Sequence, residues 1–147
     1  MKRIANTELL RLADLLQSVM PRWVILPQAS RLSSTSWDGD AHSTETATLI
    51  DMSAVFGTPA NIDALLLRVV VRDSASSGLV SSLRMRLDNA APDATSQVFR
   101  THPVDDAQVD AMATIPTDAN GDIYYDIVAS GTNTFDAWII VHGYHLK

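Results

Sequence analysis

The side chains with the means to do chemistry are four histidines, a scatter of serines and 17 carboxylates. A hydrolase would need a nucleophile, a base and an orienting acid held together. No Gly-x-Ser-x-Gly elbow frames any of the serines, so the chain is expected not to be an enzyme. His142 and His145 stand three apart in a strand-like run and should face opposite sides, unlike a metal-binding pair at helical spacing. Asp118-Ala119-Asn120-Gly121-Asp122 and Asp38-Gly39-Asp40 have the look of calcium loops but lack the distal Glu of an EF-hand. Turn formation explains their Asp and Asn residues more simply, and neither a metal nor a cofactor is expected. The sequence has no cysteine, which removes disulfides, Cys-containing zinc sites and thiol catalysis together. Trp37, beside Asp38 and Asp40, is the remaining candidate: an exposed loop aromatic with carboxylates is the means by which β-sandwich lectins hold sugars.

The residues most able to position anything lie at the C-terminal end. Gly121 to Leu146 reads as two runs of β-branched and aromatic residues around Ser130-Gly131-Thr132-Asn133, the sequence form of a β-hairpin. Ile123, Tyr125, Ile127 and Ala129 share one face, as do Phe135, Ala137, Ile139 and Val141. With Ala129 opposite Phe135, both sets meet one core, and a one-residue slip would turn one set outward. The other face then carries Asp122 opposite His142, and Trp138, Ile140 and Tyr144. That is much apolar surface for a solvated face. Its alternatives are cover by the chain's own N-terminal segment or a loop, and contact with another subunit, where buried Trp and Tyr anchors are common.

Earlier in the chain, Ala64 to Arg72 is the best central strand, with Leu65, Leu67, Val69 and Val71 inward. Leu79 to Asp88 places Leu83, Met85 and Leu87 inward and Arg84 and Arg86 outward. Arg22 to Gln28, Thr46 to Ser53, Ser96 to Val104 and Gln108 to Thr117 are further strands. Pro27 marks the first as an edge. Ala29 to Glu45 reads as a long Ser/Thr-rich loop, Val55 to Asn61 as a turn-rich connector, and Ser74 to Gly78 and Asn89 to Thr95 as a turn and a loop. Before the last run, Ala119-Asn120-Gly121 should make a three-residue hairpin loop with Gly121 left-handed and Ile115 opposite Tyr125.

One helix is expected, over Thr7 to Met20. Leu9, Leu12, Ala13, Leu16, Val19 and Met20 form an apolar stripe opposite Glu8, Arg11, Asp14 and Ser18, and Pro21 ends it. The division is thus an N-terminal arm and helix over 1–21 and a β-sandwich domain over 22–147. About eight short strands separated by turns indicate an all-β antiparallel sandwich or jelly roll with one N-terminal amphipathic helix. A chain of 147 residues suggests one domain.

Charge narrows the partners. The net charge is −6 and the isoelectric point about 4.9, so the basic stripe of a nucleic-acid binder is missing. No apolar run reaches the roughly 20 residues of a membrane span, and Glu8, Arg11 and Asp14 interrupt what would be the apolar core of a signal peptide.

The ending Ala129-Ser-Gly-Thr-Asn-Thr-Phe-Asp-Ala-Trp-Ile-Ile-Val-His-Gly-Tyr144, with Leu65 to Val71, resembles β-sandwich virion proteins of tailed bacteriophages, most of all capsid decoration (cement) proteins. The resemblance covers the last third of the chain well and the middle loosely, and leaves out the N-terminal helix. It implies a structural protein without enzymatic activity, assembled in the host cytoplasm and placed on the capsid surface. It also implies binding to the major capsid protein lattice and, often, a homotrimer. Leu9, Leu12, Leu16, Trp138, Ile140 and Tyr144 are then the contact candidates. The competing expectation is a carbohydrate-binding or host-recognition module of a phage tail that uses Trp37.

Overall fold

The computed structural model describes Arg11 and residues 22–75, 81–89 and 96–147. Apart from Arg11, the expected N-terminal arm and helix, with Leu9, Leu12 and Leu16, lie outside the described residues, as do most of the turn at 74–78 and the loop at 89–95. The chain is all-β. Its strands are β1 (Arg22–Ile25), β2 (Leu32–His42), β3 (Glu45–Ile50), β4 (Ile62–Asp73), β5 (Ser82–Arg86), β6 (Gln97–Arg100), β7 (Val109–Pro116), β8 (Ile123–Val128) and β9 (Phe135–Leu146).

They form two antiparallel sheets. In the first, β1 and β2 lie along one edge of β9, followed by β4 and β7; the second has the order β3-β8-β5-β6. The pairings are nested: β5 with β6, β4 with β7, β3 with β8, β2 with β9. That is the pattern of one long two-stranded ribbon. Rolling the ribbon sets β9 against β4 and β8 against β5.

This pairing corrects two expectations. β8 and β9 are not a hairpin, because they belong to different sheets, and β7 and β8 are likewise divided. Both face assignments nevertheless hold. Ile123, Tyr125 and Ile127 of β8 and Phe135, Ala137, Ile139 and Val141 of β9 are all buried in one core, with Leu65, Leu67, Val69 and Val71 of β4 and Leu83 and Met85 of β5. The two apolar sets meet across the core instead of side by side in one sheet. Alternation records which face is buried; it does not record the neighbour.

Other local differences have physical causes. The strand at Thr46 to Ser53 stops early because Asp51 caps a short helix, α1 (Met52–Phe56), accepting from the Ala54 N–H at 2.8 Å. Asp122 does not face His142; its carboxylate accepts from the Met52 N–H at 2.9 Å. The expected loop at 29–45 is mostly β2, an edge strand broken by two register shifts around Asp38. Arg86, expected to point outward, is buried and bonded to Asp126 at 2.9 Å.

Gly121 is left-handed as expected, with φ +89°, but it turns the chain from one sheet to the other. A Cβ there would come within 3.0 Å of the Ala60 carbonyl oxygen and the Ile62 side chain. Asp73 fixes the corresponding turn between β8 and β9. It accepts from the Ser130 hydroxyl at 2.5 Å, the Ser130 N–H at 3.0 Å and the Ala75 N–H at 3.0 Å. Burial alone would push its carboxyl up, but hydrogen bonds from Ser130, Ser81 and Ala75 outweigh it and hold the carboxyl below its usual range.

Three outcomes follow. Leu83→Ala should lower stability by about 2–5 kcal/mol, read as a lower urea midpoint; an unchanged midpoint contradicts its place in the core. Gly121→Val should destabilise measurably, through strain and through contact with Ala60. The stabilising share of Asp73 is complete above the unfolded carboxylate pKa of about 3.9. It is lost as pH falls through the lower folded value, so Asp73→Asn should flatten the acid limb of the stability profile.

Candidate functional site on the outer face of the first sheet

Register places the outward side chains of the first sheet in rows. Asp136 lies beside Arg72; Trp138 beside Val70, with Asp110 beyond; Ile140 beside Arg68, with Met112 beyond. Farther along, Ile25, Gly143, Leu66 and Thr114 share a row, then Trp23, His145, Ala64 and Pro116. Trp23 is 44% exposed, Ile25 63% and Met112 50%. Arg68, Val70, Gln108, Trp138 and Ile140 line a shallow hollow of about 240 Å³ in the middle.

Trp138 is half-buried by its own chain. The Arg72 guanidinium lies over its ring, 5.6 Å from the centroid. Gly39, at φ +110°, packs so close to the indole that a Cβ would stand 2.6 Å from it. Any side chain there would be strained and would have to displace the indole.

Arg68 and Arg72 are held by carboxylates. Arg68 Nε donates to both Asp110 oxygens at 3.0 Å, and Arg72 Nε donates to Asp136 at 2.8 Å. The hydrogen bond from Arg68 holds the Asp110 carboxyl below its usual range. His142, next to these rows, has its imidazole pKa pushed down by burial and then by the Arg31 and Arg68 cations, against a smaller opposite pull from Asp110. With Arg68 and Arg72 each matched by an anion, the middle of the face around Trp138 and Ile140 is mainly apolar. That chemistry suits the surface of another protein better than a phosphate chain.

Of the residues singled out from sequence, Trp138 and Ile140 are brought together here. Tyr144 is not. A bulge at His142 sets Gly143 opposite Leu66 and Val141 opposite Leu67, which turns Tyr144 toward the core. Trp37 is not at a loop tip: it is 5% exposed, stacked on His42 at 4.7 Å and edge-on to Tyr125 at 5.0 Å. The carbohydrate expectation therefore loses the residue it rested on. Trp23, Ile25, Val70 and Met112 belong to the face although sequence reasoning did not single them out. Their signal was the outward half of the alternation, visible only once register is fixed.

A second hollow, of about 400 Å³, lies on the second sheet between Thr44, Glu45, Ala47, Arg84, Arg86 and Asp126. There Asp126 accepts from the Ala47 N–H at 2.8 Å and from Arg86, with Arg84 at 3.9 Å. One carboxylate thus joins β3, β5 and β8. Among the described residues no group of three or more His, Cys, Asp or Glu is placed to hold a metal ion.

No protein-family model matches the chain, and no curated protein matches it.

Arg68→Met removes one of the two cations that depress the His142 imidazole. Its titration midpoint, followed by ring-proton chemical shifts, should move upward; a downward move or none contradicts the charge arrangement.

Proposed function

We propose that the chain is a structural protein of a virion, of the capsid-decoration type, which works by covering the outer face of its first sheet with another polypeptide. Its partners in this reading are further copies of itself, a trimer being favoured, and the major capsid protein on the capsid surface. The observation that carries the reading is that Trp23, Ile25, Met112, Trp138 and Ile140 line one outward face beside a core that is already closed. Large apolar patches of this kind mark interaction sites.

Two further features support it. The nested strand order β2-β9-β4-β7 and β3-β8-β5-β6 fits a jelly roll, an architecture used by viral capsid and lectin domains. Since architecture does not imply function, it lends weight only in company with the face. The resemblance of the β8–β9 region to decoration proteins points the same way. The glycan reading has no accessible Trp37 to stand on.

Light scattering on the size-exclusion peak tests this. The wild-type chain should run as an oligomer at micromolar concentration. Ile140→Asp should give a monomer with an unchanged circular-dichroism spectrum. A wild-type monomer that stays soluble at high concentration contradicts the reading.

A further inference from the structure

We infer that β7 is a pairing edge: the β7 strands of two copies join antiparallel about Met112, and the first sheets of both copies become one sheet. The contact uses the rim of the sheet, so it goes beyond the reading that the outer face is covered by another polypeptide.

The edges of the two sheets are unequal. β1 and β6 have four residues each. β2 is bulged at two places and β3 between Glu45 and Thr48. Short and bulged strands are the ordinary means of keeping a foreign strand from adding to a sheet. β7 has neither device. It pairs with β4 over eight consecutive residues without a register shift, and among the described residues no strand lies on its other side.

The alternation of the ladder fixes which groups are left unpaired. The Thr117 N–H donates to the Asp63 carbonyl at 3.0 Å, in line with the β4–β7 register. Bonded and unbonded pairs alternate in an antiparallel ladder, so Val109, Ala111, Ala113 and Ile115 direct their peptide groups to β4. Those of Asp110, Met112 and Thr114 point to the open edge, with the Pro116 carbonyl. Proline has no N–H, so its place in the edge row removes no bond from the β4 ladder.

These groups fit their own copy in one register. With Met112 opposite Met112 of the second copy, Asp110 stands opposite Thr114 and Thr114 opposite Asp110. Three pairs then exchange bonds, and no like charges face each other. A shift of two residues one way sets Asp110 against Pro116, which has no N–H to give. The same shift the other way draws in Gln108, outside the strand. Two residues further, Asp110 meets Asp110. On the inner side of the sheet Ala111 meets Ala113, so nothing bulky stands between the two sandwiches. A two-fold axis at the Met112 pair makes the contact self-complementary and leaves both outer faces, with Trp138 and Ile140, on the same side. Three bonded pairs fall well below the roughly 1,000 Å² of a stable interface. The edge therefore adds to a face contact and does not hold a dimer by itself at micromolar concentration.

Disulfide trapping reads a contact of this kind, and the sequence has no cysteine to interfere. Full-length Met112→Cys, changed at a half-exposed position, is oxidised and separated without reductant. Bonded partners lie about 5.5 Å apart at Cα, within disulfide range. Met112→Cys should give severalfold more disulfide dimer than Thr114→Cys, whose like residues stand about 14 Å apart. Thr114→Cys mixed with Asp110→Cys should link mainly across the mixture. In Met112→Cys/Thr114→Pro the edge loses a donor while the bonds to β4 stay. Its dimer yield should fall to the Thr114→Cys level with an unchanged circular-dichroism spectrum. The Met112→Cys link should persist in Ile140→Asp. Equal yields from Met112→Cys and Thr114→Cys overturn the inference, and so does a Met112→Cys chain that stays monomeric. Should Ile140→Asp abolish the link, the edge contact fails and the reading of the face stands. Should the link persist while the wild-type chain is a monomer by light scattering, the reading of the face fails and the edge contact stands.

Discussion

A strand in a two-sheet molecule has one face for the core and one for the outside, and β9 is apolar on both. Phe135, Ala137, Ile139 and Val141 close the interior from the first sheet. The side-chain period of two then forces Trp138 and Ile140 outward. The molecule cannot bury that second set by any change of register without exposing the first. The residues around it act to limit the exposure: Gly39 lies against the indole, Arg72 over it, and Val70 beside it. What remains uncovered is the surface that the proposed function gives to another polypeptide.

The bulge at His142 gives this surface its shape. Without it, Tyr144 would continue the outward row of Trp138 and Ile140. With it, Tyr144 turns toward the core, and Gly143 takes the outward position, where Val24 and Ile25 cover it. Gly143 has no room for a side chain, since a Cβ would stand 2.6 Å from the Val24 carbonyl oxygen. The far end of the face is thus built from β1, through Trp23 and Ile25.

Much of the interior was legible in the sequence, because burial of alternate residues leaves a period that survives without knowledge of partners. The inward sets of β4, β8 and β9 were readable residue by residue, and in β5 Leu83 and Met85 were, whereas Leu87 is not in the core and Arg86 is buried against expectation. Their partners were not: nested pairing joins strands as remote as β2 and β9, and local turn chemistry carries no trace of it. Gly121 shows the difference, since its left-handed turn was foreseeable and the change of sheet was not. β2 is not legible as a strand because, bulged at Asp38 and rich in Ser and Thr, it has the composition of a loop, and Trp37 has the polar neighbours of a loop tip. On the candidate face, Trp138 and Ile140 stood out as surplus. Met112 and Val70 became part of it only through the β4–β7 and β4–β9 registers.

Hydroxyl-radical labelling followed by mass spectrometry, on the full chain at rising protein concentration, tests the central claim most directly. Met112 and Trp23, on the outermost strands β7 and β1 of the face, should become protected together as concentration rises, while Tyr124 on the second sheet keeps a constant rate. Equal labelling of all three at every concentration would mean that the face stays open to water, and the account would be wrong.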